Sequence, residues 1–255
     1  MITLLRTEAV LTRRGLTHSL RDVDSMVTAV VAPVAVMLLF VTVFGAAVEG
    51  LTEGASYVDY VAPGVMLLCA GFGASMTATA VHSDLATGVV RRLRTMPVRA
   101  SAVVTGHVVA GVLRNLVSTL LVLGAALALG FRPEASAAGW AWAAVLVTAY
   151  VVLLTLAAAA WGLAARSADT AGMFAFVALF VPYLSSAFVP VEGLPTFLRG
   201  FAEHQPVSLA IETLRELTSG VPVGDQAVPL TLWLGGLTLA ALVLTRWLFQ
   251  RAGRR

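Results

Sequence analysis

Residues 60–81 read YVAPGVMLLCAGFGASMTATAV, without one charged side chain, and residues 82–101 continue HSDLATGVVRRLRTMPVRAS, with four arginines between Arg91 and Arg99. A helix rises about 1.5 Å per residue, so the first stretch is long enough to cross a hydrocarbon core about 30 Å thick. The second holds the densest cationic cluster of the chain, and apolar sequence resumes after it. Together they predict a membrane-spanning helix that delivers an arginine-rich loop to the cytoplasmic side of a bilayer.

The remainder of the 255 residues repeats this pattern. The chain is 58% hydrophobic and 12% charged, with a mean hydropathy of +0.88, whereas a soluble domain carries about 25% charged residues. Six stretches meet the length of a span, at about 27–48, 60–81, 105–130, 140–165, 171–189 and 229–248. The first two carry no charge, the third encloses Arg114, and Pro33, Pro63 and Pro182 introduce kinks. The first apolar run starts near Val27 and is too long for a signal-peptide core. The expected fold is all-α and integral to the membrane, one domain over residues 1–255 with six transmembrane helices.

Arginine placement orients the spans. With residues 1–26, 82–104, 166–170 and the C-terminal tail on one side, thirteen arginines lie there, and only Arg132, Arg199 and Arg215 lie opposite. Both termini are therefore expected in the cytoplasm. Residues 1–26 carry a stripe of Ile2, Leu5, Ala9, Leu16, Leu20 and Val23 with the arginines off it, which predicts an amphipathic interfacial helix. The outer loop from Pro190 to Val228 has a periodicity of its own: Leu194, Phe197, Leu198 and Phe201, then a break at Pro206, then Val207, Ala210, Leu214 and Leu217. Two short amphipathic helices follow from this spacing, dipping into the outer leaflet or capping the spans.

Several chemistries are missing. No lysine occurs, so a GxxxxGK[ST] phosphate loop and Schiff-base chemistry are both excluded. The four histidines and the single Cys69 form no metal-ligand spacing, and His107 reads as a packing or hydrogen-bonding residue. No GxSxG elbow is present and no carboxylate lies deep in a span, where an ion-coupled carrier keeps its titrating group. Arg114 is the one charge well inside a span. It reads either as snorkelling to the cytoplasmic interface or as a substrate or lipid headgroup contact. The basic pI near 9.6 follows membrane topology and gives no nucleic-acid-binding face. Gly71, Ser75 and Thr79 on the second span, with Gly106 and Ala110 on the third, mark faces for close helix packing. Uphill transport by such a chain needs energy from a partner, and the segment around Arg91–Arg99 is a polar, anchored feature for that partner to push on.

At this point the chain resembles the ABC-2 type exporter permeases. The segment His82-Ser-Asp84 to Gly88, then Arg91-Arg92-Leu93-Arg94, Pro97 and Arg99, is similar to the first cytoplasmic loop of that family. The series Ser185-Ser-Ala-Phe-Val-Pro190, Leu194-Pro195, Phe197, Gln205-Pro206-Val-Ser208 and Leu214-Arg215 is similar to the segment after its fifth span. The likeness covers essentially the whole chain and is greatest to the daunorubicin-resistance-type branch. Two positions depart from the pattern: Val90 or Arg91 stands where an acidic residue is common, and Gln205 replaces an asparagine.

The resemblance implies a bacterial inner-membrane permease, with no catalytic residue, cofactor or metal of its own. It would pair with a second permease subunit and with ABC ATP-binding subunits that bind the ATP. Gly88, Arg91, Arg92, Leu93, Arg94, Pro97 and Arg99 would form the coupling element. Pro190, Leu194, Pro195, Phe197, Phe201 and Pro206 would belong to re-entrant helices of the outer loop. The substrate would be an amphipathic drug, antibiotic or lipid. An ion-coupled or facilitative carrier and an export-complex scaffold are the alternatives.

Overall fold

The computed structural model describes residues 23–45, 56–89 and 102–252. Most of the expected N-terminal amphipathic helix and the arginine-rich segment 90–101 lie outside the described residues. Among the described residues every regular element is helical. An apolar chain in lipid has no water to bond its amides, and a helix satisfies them within one segment.

Helix α1 (Val23–Leu39) widens into a π-helical turn at Phe40–Phe44, where Thr42 Oγ1 donates to Leu38 O at 2.7 Å. Helices α2 (Tyr57–Ala86), α3 (Ala102–Ala128) and α4 (Ala137–Ala164) are long and apolar enough to cross a membrane. So is the last helix, α9 (Ala227–Ala252). α2 and α9 contain their predicted spans and overrun them by two to five residues at each end, whereas α3 and α4 begin three residues early and stop two residues and one residue short. Shorter helices lie between α4 and α9: α5 (Ala168–Gly172), α6 (Phe174–Tyr183), α7 (Thr196–His204) and α8 (Pro206–Ser219). The outer-loop periodicity thus corresponds to α7 and α8, with Gln205 between them and Pro206 at the first position of α8.

The predicted fifth span, 171–189, departs from a continuous helix. It breaks once at Met173 and stops at Tyr183, and Leu184–Val189 form turns. Pro182 has no N–H for the carbonyl of Ala178, one turn back. The carbonyls released beyond it are taken by side chains from other helices, as described below.

Helix α2 is the centre of the bundle. It packs against α1, α3, α4, α5, α6 and α8, and its apolar stretch is 72% buried, against 17% for α9 at the periphery. Val61, Val65, Leu67, Leu68 and Val151 anchor the core, with Ile211 and Leu214 of α8 closing one end. Packing between apolar helices gains little from the hydrophobic effect when the surrounding lipid is equally apolar, so close van der Waals contact has to supply it. A Cβ added at Gly73 of α2 would overlap the Asn115 side-chain amide of α3. The large apolar side chains left outside, such as Leu120, Phe176, Leu232 and Val243, would be a liability in water and are ordinary against acyl chains.

Candidate functional site at the two ends of the central helix

The end of α2 that begins at Tyr57 carries a polar cluster around the non-helical stretch after α6. Tyr57 Oη donates to Phe188 O at 2.8 Å, and Tyr60 Oη, three residues on, donates to Ser186 O at 2.9 Å. From the other side, α8 contributes Arg215. Its Nη2 donates to Ser186 O at 3.0 Å and to Tyr60 O at 3.2 Å, and its Nε donates to Tyr60 O at 3.3 Å. The guanidinium also lies over the Tyr60 ring, 3.8 Å from its centroid, within cation–π range. Gln205 Nε2 donates to Leu184 O at 2.8 Å, and Ser186 N donates to Ser208 Oγ at 3.3 Å.

Every second carbonyl of the stretch, at Leu184, Ser186 and Phe188, is therefore received by a side chain of α2, α8 or the residue joining α7 to α8. An unpaired backbone carbonyl away from water is expensive, which explains why so many donors converge here. The Phe188 ring completes the enclosure, stacked 4.1 Å from Phe40 and 5.1 Å from Tyr183. On the α2 side the backbone comes close: a Cβ at Gly64 would stand 2.9 Å from both Ala187 Cβ and Ala187 O. Burial pulls the Arg215 guanidinium below its ordinary value, and the neighbouring Tyr60, Glu212 and Glu216 oppose that shift.

Midway along α2, Arg114 of α3 donates through Nη2 to Gly73 O at 3.0 Å and reaches Thr77 Oγ1 at 3.4 Å. Its Nη2 is directed across to α2. Next to it, Asn115 Nδ2 donates to Ala70 O at 3.4 Å, and Cys69 Sγ approaches Ala29 O of α1 at 3.4 Å.

At the far end of α2, His107 Nε2 of α3 meets Asp84 Oδ2 at 2.7 Å, both side chains being partly buried. Val81, Val104, Ala159 and Leu163 form a small apolar cluster there, covered by Leu248 and Phe249 of α9. The final turn of α2 closes with Thr87 N and Thr87 Oγ1 both donating to Ser83 O. Gly88 follows at φ +74°, a left-handed conformation that glycine adopts without strain and that ends helices. This clasp brackets the arginine-rich segment, whose residues Arg91, Arg92, Leu93, Arg94, Pro97 and Arg99 lie outside the described residues.

Comparison with known proteins bears on the same segments. The model of the ABC-2 type transporter family matches residues 8–218, more than four fifths of the chain and both ends of α2. The chain belongs to the ABC-2 type transporter family. A probable doxorubicin resistance ABC transporter permease protein, DrrC of Mycobacterium tuberculosis, is 26% identical over 251 residues, 98% of this chain and 88% of the relative. A daunorubicin resistance ABC transporter permease protein, DrrB1 of Streptomyces coeruleorubidus, is 27% identical over 196 residues, 76% of this chain and 69% of the relative.

The residues singled out in the sequence between Pro190 and Pro206 fall into distinct settings. Pro190 precedes a 3₁₀ turn at Val191–Gly193, Pro195 caps α7, and Leu194 O accepts from Arg199 Nε at 2.8 Å. Phe197 and Phe201 stand out from the bundle at 83% and 52% exposure. Sequence reasoning singled out Gln205, Ser208 and Arg215 only as motif positions, and it did not find Tyr57 or Tyr60. Their spacing of three residues at the start of an apolar run was the available signal. Their acceptors are backbone carbonyls, which no residue code reveals.

Proposed function

We propose that this chain is the membrane-spanning permease subunit of an ATP-driven exporter that moves an amphipathic drug, antibiotic or lipid out of the cytoplasm. The observation that carries the reading is the ABC-2 family match across residues 8–218, supported by relatives named as doxorubicin and daunorubicin resistance permeases. ATP hydrolysis belongs to separate ABC ATP-binding subunits, and a second permease subunit completes the pathway between two halves.

In this reading the chain makes six passes through a bacterial inner membrane with both termini inside. Four are the long helices, the fifth is α1 with its π turn, and the sixth is α5–α6 extended by the non-helical stretch. The helical part of that last pass, Ala168–Tyr183, is about 24 Å long at about 1.5 Å per residue. It falls short of the ~30 Å hydrocarbon core, and Leu184–Val189 make up the difference. The Tyr57 end of α2 is then the outer end and the Asp84 end the cytoplasmic one, consistent with the arginine distribution. The segment from Gly88 to Arg99 contacts the ATPase, residues 1–26 lie in the inner interface, and α7–α8 form the re-entrant outer pair.

The test is reconstitution with the cognate ABC ATPase in vesicles, following doxorubicin as the probe. Export is expected to need ATP hydrolysis and to persist when proton and sodium gradients are collapsed. Export that follows an ion gradient and ignores ATP would replace this reading with an ion-coupled carrier. Cysteines at Ser136 and Ser219 are expected to react with an impermeant reagent outside, and one at Ser101 is not.

A further inference from the structure

We infer that Arg215 and Tyr60 are positioning residues for transport: they lock the non-helical stretch Leu184–Phe188 shut at the outer end, and the lock opens during ATP turnover. The inference rests on the permease reading and goes beyond it by naming the residues and the segment that they restrain.

Three observations carry it. The first is the helix break itself. Non-helical backbone at membrane depth persists only where protein encloses it or where it lines a pathway, because its amides need partners. Here, among the described residues, side-chain donors hold the carbonyls of Leu184, Ser186 and Phe188. Side-chain donors can let go of a carbonyl without unwinding a helix, so this segment can move while α2 and α8 stay intact.

The second is the convergence on one atom. Ser186 O accepts from both Tyr60 Oη and Arg215 Nη2, and Arg215 holds Tyr60 O as well. One guanidinium thus bridges α2 and the stretch, and its planar fork does this in a way that a lysine ammonium cannot reproduce.

The third is that the stretch, although buried, is joined to α8 by few hydrogen bonds. Ser186 is buried, yet its Oγ has no hydrogen-bond partner. Ser186 N reaches Ser208 Oγ at only 3.3 Å. Among the described residues, the strongest link from α8 to the stretch is therefore the bond from Arg215 to the Ser186 carbonyl.

Ser186→Cys is a mild reporter for this lock because the hydroxyl it replaces makes no hydrogen bond. It is placed in the full chain carrying Cys69→Ala, co-expressed with the ATPase, and labelled from outside with an impermeant maleimide. Labelling is expected to be about tenfold faster with the active ATPase than with a hydrolysis-dead one, the population change that loss of one charge-assisted hydrogen bond produces. With the dead ATPase, Arg215→Lys and, separately, Tyr60→Phe are expected to raise the rate to a similar degree. Both should also raise the ATP hydrolysed per doxorubicin exported.

Equal labelling with active and dead ATPase, while doxorubicin export remains ATP-driven, would overturn the lock and leave the permease reading standing. So would variants that lower export only in proportion to the amount of assembled complex, since that is the signature of a purely structural contact. Export independent of ATP would instead remove the permease reading. The lock would then be judged by Arg215→Lys and Tyr60→Phe alone, and unchanged labelling in both would refute it.

Discussion

His107 and Asp84 meet at 2.7 Å across α3 and α2, 23 positions apart in sequence, on either side of the segment that carries the four arginines. The pair is partly buried at the end where α2, α3, α4 and α9 share an apolar cluster.

His107→Ala should lower the stability of the detergent-solubilised protein by about 1 kcal/mol, the scale of a partly exposed charge-assisted hydrogen bond. That corresponds to roughly 2–4 °C in thermal midpoint for a chain of this size. His107→Gln, which keeps a donor for Asp84, should recover part of the loss in the same thermal assay. Equal midpoints for His107→Ala and the unmodified protein would show that the contact contributes nothing.

The arginine segment should separate anchoring from coupling. An anchor needs only charge, at about 1 kcal/mol per arginine near anionic lipid, and lysine serves equally well. A coupling element must keep a shaped surface. Leu93→Asp or Arg92→Glu should therefore leave membrane insertion intact and uncouple ATP hydrolysis from export. Replacing Arg91, Arg92, Arg94 and Arg99 together by lysine should preserve topology while lowering the export per ATP. Wild-type export by Leu93→Asp with normal ATPase binding would reduce the segment to an anchor.

Close packing of α2 against α3 predicts a contrast between two glycines. Gly73→Ala should destabilise by about 1–3 kcal/mol, because its Cβ overlaps the Asn115 amide and the helices must part. Gly124→Ala on the same helix pair meets nothing within 4 Å and should be neutral or stabilising by about 0.5–1 kcal/mol. Pairing Gly73→Ala with Asn115→Ala should restore part of the loss, measured as thermal midpoint in detergent.

Phe197 and Phe201 project from α7 away from the rest of the chain. Against lipid or a second subunit, Phe197→Asp and Phe201→Asp should each impair assembly or export more than Thr196→Asp, read by yield of the assembled complex and by export. Equal tolerance at the three positions would make α7 a solvated connector.

Periodicity and charge in the sequence carried the helical class, the position of the long spans and the pair α7–α8, because lipid forces apolar backbone into helices wherever runs are long enough. Pro206 at the start of α8 was legible for a related reason, since local backbone chemistry acts through the residue itself, whereas Gly88 was singled out for the arginine-rich segment and not as the end of α2. The break after Tyr183 was hidden inside an apolar run predicted to continue to Val189. Only the fold brought Tyr60 of α2 and Arg215 of α8 to one backbone carbonyl at Ser186, across separations of 126 and 29 residues, and Tyr57 to the carbonyl of Phe188. A carbonyl exists at every position, so its availability depends on where a helix stops in three dimensions. The same holds for Arg114, whose partners include the backbone of Gly73, and for His107, whose partner Asp84 lies on the opposite side of the arginine-rich segment in sequence.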